Sequence, residues 1–78
     1  MDNNTNVVEV LIFKTNISTD TELTKVSKVL NESTKIIEWT IDREDIDKVL
    51  RIESIGLDTQ SVISMITTEG FFCEELPD

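Results

Sequence analysis

The stretch VVEVLIFKTNISTDTELTKVSKVL, residues 7–30, sets the fold of the chain. Residues 7–14 are mainly β-branched and aromatic, the composition of a mostly buried strand with a central place in a sheet. Residues 15–18 make a polar turn. Thr19 and Glu22 then stand at capping-box spacing: the hydroxyl accepts from the N–H of the third helical residue, and the carboxylate reaches back to the N–H of the cap. Leu23, Val26, Val29 and Leu30 follow at three- and four-residue intervals, with Lys25 and Lys28 between them. This spacing predicts one amphipathic helix ending near Glu32.

Outward from that stretch, Ile37, Trp39 and Ile41 alternate with Glu38, Thr40 and Asp42, which predicts a strand with one buried face. Trp39 belongs to that face, as core rather than as an exposed interface anchor. Residues 42–47 are a charged break. Residues 48–55 resume the alternation, with Leu50 and Ile52 on one side and Arg51 and Glu53 on the other, so the two strands form a hairpin. Gly56 and Leu57 close it, and Asp58 caps a second helix whose stripe is Val62, Ile63, Met65 and Ile66. Gly70 supplies a left-handed stop, and residues 71–76 are a last short strand ended by Pro77, which has no N–H to donate.

This order predicts an α+β fold, a ferredoxin-like β-α-β-β-α-β two-layer sandwich. Its antiparallel sheet has order 4-1-3-2, and both helices lie on one face. A rearranged two-layer sheet of the same elements is the other arrangement the pattern admits. Residues 1–6 are expected to be a flexible lead-in, with a single domain over 7–78.

A chain of 78 residues has room for one core. Sixteen Asp and Glu against seven Lys and Arg give a net charge of −9, and there is no histidine. An acidic surface repels phosphate backbones and anionic lipid, so neither nucleic acid nor membrane is an expected partner, whereas a basic protein is. Without histidine the commonest general base and nitrogen ligand are absent, which argues against an enzyme. Cys73 is the only cysteine, so no internal disulfide forms, and the polar start of the chain has no signal core. Both point to the cytoplasm.

The first strand, turn and helix resemble the opening of heavy-metal-associated domains, the fold of copper chaperones, whose motif reads Gly-Met-Thr/Ser-Cys-x-x-Cys. Val26-Ser27-Lys28-Val29-Leu30 matches the helical Val-x-x-Ala/Val-Leu segment of that family. The match sets Asn16 at the Gly, Ile17 at the buried Met, Ser18 at the Thr or Ser, Thr19 at the first Cys and Glu22 at the second. Gly70-Phe71 stands where the family has Gly-Tyr or Gly-Phe. Residues 39–51 are also similar to small uncharacterised bacterial proteins of this kind. The resemblance implies the ferredoxin-like fold and a degenerate metal position. Soft Cu(I) suits paired thiolates, and a hydroxyl with a carboxylate does not replace them. No cofactor or soft-metal site is therefore expected.

Asp42, Glu44, Asp45 and Asp47 offer oxygen ligands for a hard cation, but without the glycine and bidentate glutamate of an EF-hand loop they read as a solvated turn or an acidic docking patch. Thr15, Asn16, Ser18 and Thr19 precede a helix without the glycine or arginine of a phosphate loop, and turn and cap duties account for them. The third strand lacks the exposed aromatics of an RNA-recognition sheet. Cys73, beside Phe72 and Glu74, reads as buried and inert.

The expected function is a non-catalytic protein-interaction or regulatory module. The alternative is residual metal handling through oxygen ligands or through Cys73 across a dimer. Leu11, Phe13, Val49 and Arg51 are the expected interaction residues, placed on the sheet face away from the helices and supporting weak homodimer formation.

Overall fold

The structure, a computed structural model, describes residues 7–77, so the lead-in expected over residues 1–6 lies outside the described residues. The elements run β1 (Glu9–Thr15), α1 (Asp20–Asn31), β2 (Ile36–Asp42), β3 (Val49–Ser54), α2 (Thr59–Thr68) and β4 (Cys73–Glu75). The antiparallel sheet has order β2-β3-β1-β4, the expected order read from its other edge. It is a ferredoxin-like β-α-β-β-α-β two-layer fold.

Local chemistry fixes each helix end. Thr19 caps α1 through the full capping box, and Asp58 caps α2 by accepting from the Ser61 N–H at 2.8 Å. After α2, Gly70 turns left-handed with φ +95°. Its N–H donates to the Thr67 carbonyl at 2.9 Å, and the Phe71 N–H donates to the Ile66 carbonyl at 3.3 Å. That paired closure satisfies the last carbonyls of the helix. The same bond shortens the final strand. With the Phe71 amide facing Ile66 and the Phe72 amide donating to Asn16 Oδ1 at 2.9 Å, β4 begins at Cys73 rather than at the expected residue 71.

Both helices lie on one face of the sheet over a core of Phe13, Ile17, Val26, Leu30, Leu50, Ile52, Leu57, Val62, Ile66 and Cys73. Trp39 is half-buried against this core, and its indole N–H donates to Asn31 Oδ1 at 3.0 Å, tying β2 to the last turn of α1. The expected face of β1 is corrected. Phe13 pairs with Leu50 and is fully buried, and Leu11 pairs with Ile52 and packs on the core, so both point toward the helices. Val10, Ile12 and Lys14 take the opposite face. Residues 10–13 are apolar in both phases of the strand. The flanking charges disagree as well, since Glu9 shares the phase of Phe13 and Lys14 that of Ile12.

Candidate functional site

The β1–α1 turn is held from below and from the side. Thr15, at the end of a central strand, is buried; its N–H donates to the Asp47 carbonyl at 3.0 Å and its hydroxyl donates to the Lys48 carbonyl at 2.7 Å. The turn therefore sits against the β2–β3 connection. Ile17 is wholly buried beneath the turn, as its match to the family's buried Met implies. Its N–H donates to the Thr15 hydroxyl oxygen at 3.3 Å.

Above this plug the two positions matched to the family's cysteines engage each other. The Glu22 N–H donates to Thr19 Oγ1 at 3.1 Å, while the N–H groups of Thr19 and Ser18 donate to Glu22 Oε1 at 3.0 and 2.9 Å. These donors, the Thr19 amide first and the Ser18 amide second, hold the Glu22 carboxyl below the usual glutamate range. Arg43 reaches across from the β2–β3 connection. One guanidinium nitrogen lies 2.7 Å from Asp20 Oδ1 and 3.3 Å from the Ser18 carbonyl oxygen. The turn thus offers a capped hydroxyl, an amide-bound carboxylate and a cation across it, a poor donor set for a soft metal.

The four acids of the β2–β3 connection do not converge. Asp42 Oδ1 accepts from the Glu44 and Asp45 N–H groups at 3.1 and 3.3 Å, and Asp45 Oδ1 accepts from the Asp47 N–H at 2.8 Å. Asp47 pairs with Lys14 at 3.6 Å, and Glu44 is exposed. The acids shape their own turn, and among the described residues no group of three or more His, Cys, Asp or Glu could hold a metal ion. Cys73 lies in the core opposite Thr15, where burial pushes its thiol up to about 11.

Of the expected interaction residues, Val49 and Arg51 lie on the open sheet face, whereas Leu11 and Phe13 do not. Val10 and Ile12 stand there instead. The sequence carries no clear signal for them, since Lys14 favours their phase for the open face and Glu9 the opposite one. The reach of Arg43 to Ser18 and Asp20 carries no local sequence signal, since it joins residues more than twenty positions apart.

No family model matches the chain, and no curated protein matches it. Solved structures do. A structure described as the CsoZ metallochaperone is similar with TM-score 0.75 at 14% identity, covering 87% of this chain and 99% of that one. The apo form of the HMA domain of the copper chaperone for superoxide dismutase is similar with TM-score 0.79 at 16% identity, over 99% of this chain and 76% of that one. The copper(I)-loaded first domain of the human copper chaperone for SOD1 is similar with TM-score 0.75 at 16% identity, over 88% and 93%. The strand order, the helix placement and these likenesses agree: the chain has the fold of the heavy-metal-associated domain, at low sequence identity.

Proposed function

We propose that this chain is a non-catalytic protein-interaction or regulatory module of the cytoplasm, built on the heavy-metal-associated fold without its soft-metal site. The observation that carries the reading is the reciprocal cap. Thr19 and Glu22 stand where the resembling family has its two cysteines, and both side chains are engaged by backbone amides of the same turn. The partner is a protein rather than nucleic acid or membrane, because the acidic surface repels phosphate and anionic lipid.

The copper-related descriptions of the similar structures make residual metal handling the competing reading. Two features count against it. The buried thiol of Cys73, with its raised pKa, is poorly placed to bridge two chains, and the acids of residues 42–47 are engaged in their own turn. Anaerobic titration with Cu(I) against a competing chelator decides between them. The unmodified chain is expected to leave the chelator's copper untouched, and stoichiometric capture overturns the proposal.

A further inference from the structure

Both helices cover the same side of the sheet, which leaves the other side without a layer of its own. Register places three cross-strand rows there. Glu38, Glu53 and Val10 form the first, and Thr40, Arg51 and Ile12 the second; Asp42 with Val49, and Lys14 with Glu74, mark the third. The apolar centre is Val10, Ile12 and Val49, continued by Val8 before the strand. Val8 and Val10 are 49% and 46% exposed. An apolar strip on a sheet face that no layer covers is available for contact with another molecule.

The charges around the patch select its occupant. Arg51 is already held by Glu53 at 2.6 Å, and Lys14 by Asp47 at 3.6 Å, so both cations of this face are neutralised within the chain. Glu38 and Glu74 have no salt-bridge partner among the described residues. What remains around the apolar centre is negative. A second copy would bring like charge against like charge, as would nucleic acid or anionic lipid. Resting on the interaction-module reading, we infer that the helix-free sheet face docks a protein surface with an apolar centre and a basic rim.

The face is small. Strand spacing and rise give it a footprint of roughly 14 by 20 Å, below the about 800 Å² that each partner contributes to a standard interface. Docking there is reversible and leans on the charged rim, so it weakens with salt.

The test uses the full chain, isotope-labelled for amide shift mapping, and a synthetic helical peptide with a leucine stripe flanked by lysines. The same peptide with glutamate in place of lysine is the control. The expected result is saturable binding of the lysine peptide only, with shifts centred on Val10, Ile12, Val49 and Arg51. Three variants then separate this face from general acidity. Glu38→Lys with Glu74→Lys changes the net charge as much as Glu32→Lys with Glu69→Lys at the helix C-caps. The first pair is expected to weaken binding about tenfold or more and the second by less than about threefold. Val10→Asp makes the chain more acidic, so it tightens attachment by charge alone and weakens docking through the apolar centre. Equal loss in the two pairs, tighter binding by Val10→Asp, shifts centred on residues 42–47, or no saturable binding overturns the inference. Each of these leaves the interaction-module reading standing, whereas copper capture by the unmodified chain removes that reading itself.

Discussion

Thr19 and Glu22 cap each other: the Glu22 amide donates to the Thr19 hydroxyl at 3.1 Å, and the Thr19 amide donates to the Glu22 carboxylate at 3.0 Å. Each side chain occupies a position matched to a cysteine of the family the chain resembles, and each contributes to starting the first helix.

Placing cysteines at both positions tests that match. Thr19→Cys with Glu22→Cys is expected to capture one Cu(I) per chain against a chelator, because a helix N-terminus favours thiolates and two of them suit the metal. The single variants bind far more weakly. A folded double variant that binds no better than the singles shows that the register is wrong.

Acid is expected to act on the same cap. The folded Glu22 carboxyl lies below its ordinary value because amides donate to its charged form. Its stabilisation is therefore complete above the unfolded pKa of about 4.3 and is lost as pH falls through the lower folded value. Glu22→Gln removes this contribution, so its Tm should fall less steeply than the parent's as the pH drops below about 5. Equal slopes contradict the assignment. Thr19→Ala, read by denaturant unfolding, should cost about 1 kcal/mol.

Neighbouring residues of β1 should differ sharply. Phe13→Ala empties a fully buried site and should cost about 3–5 kcal/mol. Ile12→Ala, on the open face, should cost under about 1 kcal/mol. Urea melts of the two variants decide, and the opposite order would return Phe13 to the open face.

Calcium and magnesium should leave the melting temperature unchanged, since the carboxylates of Asp42 and Asp45 already cap their own turn. A real site would add about 2.7 kcal/mol at a hundredfold excess over Kd. A saturable rise with one cation only would restore the oxygen-ligand reading.

Cys73 should resist thiol reagents in the native chain and react at once in denaturant, because burial lifts its pKa to about 11 and closes access. Rapid native labelling would reopen the thiol as a candidate ligand.

The order of elements was legible because each carried a local signal: the Thr19 and Asp58 caps, the alternation of Trp39 with Ile41 and of Leu50 with Ile52, and the left-handed Gly70. Ile37, expected on the buried face with Trp39 and Ile41, is exposed instead, because a register shift between Ile36 and Glu38 brings Ile36 onto the core. What was not legible depended on partners distant in sequence. The start of β4 is set by Phe71 bonding back to Ile66 and by Phe72 bonding to Asn16. The inward face of β1 is set by its pairing with β3, since its own flanking charges point both ways. Within the site, Thr19 and Glu22 were readable from spacing alone, whereas Arg43 on Asp20 and Ser18 required the hairpin to fold over the turn.

The burial of Ile17 and Cys73 beneath an amide-saturated turn bears on how constant the domain is. At neutral pH the Glu22 carboxylate is already ionised, the Thr19 hydroxyl does not titrate, and the chain's one thiol lies inside the core. On the reading proposed above, oxidant, metal supply and modest acidification find no group in this turn whose state they change. That reading keeps the turn's outline the same when those conditions vary, the behaviour of a fixed landmark rather than of a sensor.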